Sequence, residues 1–389
     1  MTTPFQGISI TLRLLSTVAG IAACLWIASV SSCAEDERAR LEGNDDARAV
    51  EVHRIERPPA VDPALADEKL FEGQRLFRER KTTEARAAFQ ASAEADPGRA
   101  EAFYLLGHCY VVHSVGMSYS RAIESFHRAL QLDPDYLPCH WGIGYAAYGL
   151  SDYETARLHF EKVTSGEDPR LRTEQRGEAL HFLGVMDLNE GRAQQAVRHF
   201  LEAKKIYPDF ADTRYQLGLA EEALQKEEEA VRAYEEALVI HPSHAACHHR
   251  LASLYRRLGQ PEKAARAEHI HELLNKLTDN ISTRFLKDLD TRLELQRELI
   301  RIQPENHVVR IEHAKLLLEA RQALEAARVL DSLISDMPEV ADAYVLRAVI
   351  ALRMGDRTKA KDLIERLLRS RPEYPREKLP EAVLELLKS

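Results

Sequence analysis

The chain contains 389 residues, of which 45% are hydrophobic, 30% are charged and 7% are aromatic. This composition is globular, because a disordered chain would have fewer apolar residues and a collagen-like chain would have far more Gly and Pro. The formal net charge of −9 argues against a general nucleic-acid binder, which needs an excess of Lys and Arg. The length leaves room for two or three ordinary domains.

The first predicted element is an uncharged apolar run from Leu14 to Val30, which follows Arg13 and precedes an acidic stretch. This arrangement is typical of a secretory signal. The run ends in Val30-Ser31-Ser32-Cys33, which resembles the lipobox of bacterial lipoproteins, where cleavage leaves an acylated Cys at the N-terminus. We therefore predict a lipoprotein signal peptide over residues 1–32 and lipidation of Cys33.

Two alternatives stay open for this segment. Ile21-Ala22-Ala23-Cys24 also matches a lipobox, although cleavage there would leave apolar residues on the mature chain. An uncleaved anchor is the other alternative, because 17 apolar residues are at the lower limit for a bilayer span. In either case the body lies outside the cytoplasm, in the cell envelope. Ala34, directly after Cys33, resembles a sorting signal for the periplasmic face of the outer membrane, which we prefer over the inner membrane.

Residues 33–65 are predicted to form a flexible polar tether, because they are too polar to build a core. Beyond the tether only Cys109, Cys139 and Cys247 remain, an odd number without a CxxC pair. A cysteine that forms no disulfide behaves as a small apolar side chain and is usually buried. We therefore predict at most one disulfide and favour free, buried cysteines.

A repeated pattern of small and aromatic residues begins after the tether. An Ala followed four residues later by an aromatic occurs at Ala85/Phe89, Ala122/Phe126, Ala156/Phe160, Ala196/Phe200 and Ala230/Tyr234. Ala264, Ala326 and Ala360 continue the series, and successive alanines are 37, 34, 40, 34, 34, 62 and 34 residues apart. A second small residue stands 12 positions before most of these alanines, and a Pro stands about 12 positions after most of them.

This pattern resembles the tetratricopeptide repeat, which has a small residue at position 8, Ala at 20, an aromatic at 24 and Pro at 32. The resemblance covers about residues 66–275 and 305–374. It implies an all-α fold, a solenoid of helical hairpins wound into a right-handed superhelix. We expect about eight repeats, a degenerate half-repeat and a C-terminal capping helix.

The apolar spacing supports this resemblance. Amphipathic stretches such as Asp212–Leu224 and Glu228–Ile240 have apolar residues at i, i+3, i+4 and i+7, which predicts paired helices. Small residues at positions 8 and 20 let the two helices approach closely. One hairpin cannot cover its own apolar faces, so each repeat must stack on its neighbours.

Departures from the pattern define the predicted domains. A six-repeat block covers residues 66–277, and a degenerate half-repeat or hinge covers 278–304, with its one helix at Leu289–Ile302. A two-repeat block covers 305–374. The capping helix lies within 375–389, at Leu379–Leu387, as solenoid ends require.

The resemblance also implies where a partner would bind, because positions 2, 5, 9, 12 and 13 of each first helix line the concave surface in this family. These positions hold Tyr104, His108, Trp141, Tyr145, Tyr148, His181, Tyr215, His249, Arg256 and Arg257. Aromatic rings beside Arg favour protein binding, since they supply contact area at low entropic cost. The alternative is that these rings only fill the inner wall of a tight superhelix.

The residues give little indication of chemistry. Gly142-x-Gly144-x-x-Ala147 matches a dinucleotide fingerprint, but it lies inside a predicted helix, where it cannot cradle a phosphate. His244, Cys247 and His248 stand at i, i+3 and i+4 and could bind a metal ion on one helix face, which makes a metal-binding accessory protein using the His241–His249 cluster an alternative. We expect no cofactor and no enzymatic activity.

The sequence therefore predicts a non-enzymatic, membrane-tethered scaffold that binds partner peptides or helices in a concave groove and helps to assemble a cell-envelope complex. The predicted partners are a protein and, through the acyl anchor, a lipid membrane, without nucleic acid or a small-molecule substrate. A self-assembling structural protein is a further alternative.

Overall fold

A computed structural model describes residues 62–112, 118–282, 289–376 and 379–388. The predicted signal peptide with Cys24 and Cys33, and the tether up to residue 61, lie outside the described residues. The described ranges are helical and contain no strand, which confirms the all-α prediction. In these ranges no helix is both long enough and apolar enough to span a membrane.

The chain divides into two compact units at residues 226 and 227. This division falls inside the six-repeat block that the sequence predicted. The helices of unit 1 are α1 Pro63–Arg78, α2 Thr82–Ala95, α3 Ala100–Val112, α4 Tyr119–Leu132, α5 Leu137–Gly149, α6 Tyr153–Ser165, α7 Thr173–Asn189, α8 Ala193–Ile206 and α9 Ala211–Ala223. The helices of unit 2 are α10 Glu227–Ile240, α11 Ala245–Arg257, α12 Pro261–Ser282, α13 Leu289–Ile302, α14 His307–Glu319, α15 Ala323–Asp336, α16 Ala341–Arg353, α17 Arg357–Ser370 and α18 Glu381–Lys388.

Consecutive helices pair as hairpins within each unit. In unit 1 the pairs are α1 with α2, α3 with α4, α5 with α6, and α7 with α8. In unit 2 they are α11 with α12, α14 with α15, and α16 with α17. The fold is therefore a tetratricopeptide-type solenoid of helical hairpins, as the sequence predicted.

The first helix begins slightly earlier than the predicted end of the tether. Asp62 is the N-cap of α1, where its Oδ1 accepts a hydrogen bond of 3.0 Å from the backbone N–H of Leu65. Pro63 occupies the first turn, where its missing N–H costs nothing. Residues 63–65, which we assigned to the tether, are consequently helical.

Glycine and phenylalanine fill the space between the paired helices of unit 1. A β-carbon on Gly144 would lie 2.8 Å from the ring of Phe160, and one on Gly184 would lie 2.6 Å from Phe200. Gly73 with Phe89 and Gly107 with Phe126 repeat this contact. The four rings are fully buried. Position 8 therefore needs a small residue because the aromatic of position 24 lies directly against it.

Aliphatic residues fill the same space in the last two hairpins of unit 2. Ala314 and Leu330 are completely buried between α14 and α15, and Ala348 and Ile364 between α16 and α17. The capping helix α18 extends this core, since Leu379, Val383 and Leu386 are buried in the same cluster.

The region that the sequence predicted as a degenerate half-repeat or hinge, residues 278–304, is largely helical in its described part. Helix α12 continues without a break to Ser282, so the predicted boundary at 277 and 278 falls inside it. Helix α13 has the predicted bounds, Leu289–Ile302. Leu299 of α13 is buried with Leu273 of α12 and Val309 of α14 in one apolar cluster. The hinge itself stays a prediction.

The three cysteines of the described ranges are buried and form no disulfide with one another. Cys109 lies on α3, Cys139 on α5 and Cys247 on α11. Burial raises the pKa of the Cys109 thiol to about 12. Burial also raises the pKa of the Cys139 thiol well above its ordinary value, so that Cys109 and Cys139 stay in the unreactive thiol form. The prediction of buried thiols without a disulfide is confirmed for the three residues.

Candidate protein-binding surface

The predicted aromatic residues of unit 1 form connected ring contacts on α3 and α5. Trp141 stacks on Tyr145 at a centroid distance of 5.5 Å, and His108 lies 6.3 Å from Trp141. Tyr104 lies 5.9 Å from His108. Tyr104, His108, Tyr145 and Tyr148 are partly exposed, whereas Trp141 is only 6% exposed. Trp141 therefore supports the partly exposed rings from below rather than presenting a large surface of its own.

A residue that sequence reasoning missed, Phe182 on α7, continues this surface. Its ring lies 4.8 Å from Tyr148 and 5.7 Å from Tyr145, and it stacks on Phe160 at 5.3 Å. Phe182 stands at position 6 of its repeat, which is outside the set of positions that we considered. Its partial exposure could have been anticipated only from the packing of two neighbouring first helices.

The most informative missed residue is Glu178, the second position of its repeat on α7. It is half-buried and makes no ion pair with another described residue. Burial raises the pKa of its carboxyl to about 7, against the opposing influence of Arg172. The indole N–H of Trp141 is buried and closes no hydrogen bond within the described part of the chain. An acidic residue thus lies beside the stacked rings.

His181 does not line the surface in the way that the sequence predicted. It is 6% exposed and packs among Phe182, Phe200 and Phe210, with ring distances of 4.9 to 5.9 Å. Its Nδ1 is 3.2 Å from Thr213 Oγ1. Position 5 of this repeat faces the interior here, so His181 serves packing. Tyr215 on α9 is partly exposed, as predicted.

The three predicted residues of unit 2 differ in character from those of unit 1. His249, Arg256 and Arg257 on α11 are exposed. Arg256 forms an ion pair with Glu268, and Arg257 Nε donates to Glu227 Oε1 at 2.8 Å. Both arginines are therefore engaged by acidic residues of neighbouring helices of the same unit.

The structure does not bring His244, Cys247 and His248 together as metal ligands. His244 is the N-cap of α11, and its Nδ1 accepts a hydrogen bond of 3.2 Å from the backbone N–H of Cys247. His248 Nε2 donates to the Pro242 carbonyl at 3.0 Å. Throughout the described ranges, no group of three or more His, Cys, Asp or Glu side chains has metal-binding geometry. The geometry therefore does not support a metal site on this helix face, because the Nδ1 of His244 and the Nε2 of His248 are hydrogen-bonded to backbone groups.

A pair of buried histidines lies deeper in unit 1. The Nδ1 atoms of His140 and His159 are 2.9 Å apart, and both side chains are about 5% exposed. Burial lowers the pKa of His140 to about 4 and that of His159 to about 3. Both rings are therefore neutral near pH 7 and share one hydrogen bond between α5 and α6.

These hairpins, closed by small residues against large ones, define the class of α-helical repeat proteins. Tetratricopeptide repeat family models match residues 72–113, 183–245, 233–266 and 317–376. These matched segments are tetratricopeptide repeats, in agreement with the helical hairpins that the structure shows there.

Individual relatives are distant. The chain is 29% identical over 117 residues to anaphase-promoting complex subunit 3 of Schizosaccharomyces pombe, a match that covers 30% of this chain and 16% of that protein. The chain thus spans about one sixth of the curated relative that it matches.

Solved structures share the helical repeats. PilF of Pseudomonas aeruginosa is 18% identical over 52% of this chain and 88% of its own, with a TM-score of 0.46. PilW, described as a type IV pilus biogenesis factor, is 18% identical over 59% of this chain and 98% of its own, with a TM-score of 0.46. YrrB is 20% identical over 59% of this chain and 97% of its own, with a TM-score of 0.38.

Proposed function

We propose that this protein is a non-enzymatic scaffold that binds a protein partner through the aromatic surface of unit 1. The observation that carries the proposal is the contiguous set of partly exposed rings on the first helices, Tyr104, Tyr145, Tyr148 and Phe182, supported by Trp141. Aromatic anchors on a rigid support are the residues that dominate protein interfaces. A purely internal role would leave such rings fully covered.

The proposal includes the address that the sequence predicts. Acylation of Cys33 would hold the scaffold at the envelope membrane, and the tether would let unit 1 meet a partner there. Anchoring raises the local concentration of the partner without any bond chemistry. Assembly of a cell-envelope complex is the role that this combination supports best.

Site-specific photo-crosslinking in living cells tests the binding surface. A photoreactive residue at position 145 or 148 is expected to capture the same protein from each position. Leu158 and Leu201, which are 54% and 50% exposed on the second helices α6 and α8, provide matched control positions. Equal capture from the control positions, or none from 145 and 148, would contradict the proposed surface.

Metabolic labelling with a fatty-acid analogue tests the anchor. The Cys33→Ser variant is expected to lose the lipid label and to leave the membrane fraction. Continued labelling would move the acylation to Cys24, and an unlabelled wild-type chain in the membrane would indicate an uncleaved anchor instead.

A further inference from the structure

The carboxylate of Glu178 occupies an unusual environment on unit 1. Ala179, the next residue along α7, is buried in the same apolar cluster as Trp141. Phe182, one helical turn further on, has its ring 5.7 Å from Tyr145. Glu178 therefore lies on the side of α7 that meets the stacked rings, and burial together with its charge raises the pKa of Tyr145. The indole N–H of Trp141 is buried and makes no hydrogen bond within the described residues. Apolar walls of this kind strengthen any electrostatic interaction within them, because they exclude water.

The same helix shows how this chain satisfies a buried acid elsewhere. Asp187, nine residues further along α7, is completely buried. Its Oδ1 accepts from Arg157 at 3.0 Å and from Arg192 at 2.7 Å, and its Oδ2 lies 2.8 Å from His199 Nδ1. These partners hold the pKa of Asp187 below its usual value even though burial opposes them. Asp187 thus has two arginines and a histidine as direct partners, whereas Glu178 forms no ion pair with any residue that the structure describes.

An unpaired carboxylate beside aromatic rings is complementary to a cation. Arg172 is the cation that opposes the effect of burial on Glu178, but its side chain is exposed and forms no ion pair with Glu178. Leaving an acid half-buried and unpaired costs stability, and a cation from outside would recover that loss. Aromatic rings also attract Lys and Arg side chains through their electron-rich faces.

We propose that Glu178, with the rings of Trp141 and Tyr145, is the receptor for one Lys or Arg side chain of an extended partner segment. This inference rests on the proposed function and names the chemistry of the partner. The carboxylate supplies the counter-charge, and the rings exclude water from the pair. Glu178 is thereby a specificity-determining residue of the aromatic surface.

Binding of the basic segment depends on pH in a defined direction. Glu178 must be ionised, so affinity rises as the pH increases from 6 to 8. Four other charged or titratable groups lie around the carboxylate. Arg172 is the N-cap of α7, and Glu174 lies in the first turn of that helix. Tyr145 lies on α5, and Tyr207 directly follows α8. The two tyrosines stay neutral, because burial raises the pKa of each.

Selection from a random heptapeptide phage library on the full-length chain in detergent tests the inference. On the wild-type protein we expect peptides with Lys or Arg at one fixed position. The Glu178→Gln variant keeps the shape and removes the charge, and it should lose this preference. Glu174→Gln, an exposed acid one turn away on α7, is the matched control and should keep it. Circular dichroism of each variant checks that the helices are intact.

Calorimetric titration with one selected peptide then gives the magnitude. Replacing its basic residue by norleucine, or using Glu178→Gln, should weaken binding about 10-fold or more, because a partly buried charged hydrogen bond is lost. The two changes together should cost little more than either alone.

Two results would overturn the inference. One is selection of peptides without a fixed basic position, and the other is the same basic preference on Glu178→Gln. Crosslinking from positions 145 and 148 would still stand in both cases, so failure of the inference is distinguishable from failure of the proposed function.

Discussion

Unit 1 and unit 2 fill the space between the two helices of a hairpin with different pairs of residues. In unit 1 the first helix of each hairpin contributes Gly, and the second contributes Phe, as in Gly144 with Phe160. In the α14/α15 and α16/α17 hairpins of unit 2 the first helix contributes Ala and the second a smaller aliphatic residue, as in Ala314 with Leu330. The two facing side chains must together fill a similar volume in each hairpin, because protein interiors are close-packed and tolerate neither voids nor overlap.

The two units also differ at the surface of their first helices. Unit 1 presents partly exposed rings with an unpaired carboxylate beside them, whereas the arginines of unit 2 on α11 are held by Glu268 and Glu227. Exposed ion pairs of that kind contribute little energy. The partly exposed rings and the carboxylate of Glu178 both belong to unit 1, which is where we expect the binding site.

Acidification should separate the stability of the two units most strongly, because it destabilises the buried His140 and His159 pair of unit 1. In the unfolded chain these imidazoles take up protons below about pH 6.5, whereas the folded pair stays neutral, so stability is lost as the pH falls from 6.5 towards 4. For His140 alone, the shift from 6.5 to about 4 corresponds to roughly 3 kcal/mol. Hydrogen exchange, corrected for its intrinsic pH dependence, should show early loss of protection in α5 and α6.

The α16 and α17 hairpin is the internal control, because it contains no histidine. Its protection should persist at the pH where α5 and α6 open. The His140→Leu/His159→Leu variant should lose most of the acid response in α5 and α6. Simultaneous opening of both hairpins in the wild-type protein would show that the histidine pair does not control acid stability.

Exchanging the packing pairs should have a smaller effect. Gly144→Ala puts a methyl group against Phe160 and is expected to lower the free energy of unfolding by about 1–3 kcal/mol through overpacking. Adding Phe160→Leu imitates the pair of unit 2 and should recover part of that loss. Urea unfolding followed by Trp141 fluorescence, in a Trp26→Phe background, measures both variants. If the second substitution adds its full cost to the first, the two positions are not complementary.

Removing the charge of Glu178 should have the smallest effect and the opposite sign. Because the folded pKa of about 7 exceeds the ordinary value of 4.5, ionisation disfavours the folded state, and stability falls as the pH rises through this range. Glu178→Gln should therefore raise the free energy of unfolding at pH 8 by about 1–2 kcal/mol after allowance for solvent screening, and leave it unchanged at pH 4. Urea unfolding at the two pH values checks this, and a loss of stability at pH 8 would show that the carboxylate has a partner.

Much of the fold follows from short-range spacing. The interval between Ala and the aromatic four residues later is a local helical pattern, so it located the helices to within a residue at Asp212–Leu224 and Glu228–Ile240. The unbroken helix α12 was not predicted, because no Gly or Pro stops it and the repeat pattern fades after Ala264. Periodicity locates regular repeats better than the places where two helices merge.

The site was less predictable, because it depends on how neighbouring first helices meet. Position numbering selected Tyr145 and Tyr148, which are partly exposed, yet it also selected His181, which the rings around it bury. Glu178 occupies position 2, which was among the surface positions, but a search for aromatic and basic residues passed over an acid. Its importance comes from burial and from missing partners, which the residue type alone does not reveal.

The most direct test of the central claim is the dissociation constant of the crosslinked partner, purified and titrated against matched double variants. Tyr145→Ala/Tyr148→Ala should weaken binding by at least about 30-fold, because aromatic anchors at an interface are worth about 2 kcal/mol or more. Leu158→Ala/Leu201→Ala, on the second helices, should bind as the wild-type chain does. Unchanged affinity in the tyrosine variant, with its helices intact, would contradict the account and assign these rings to internal packing.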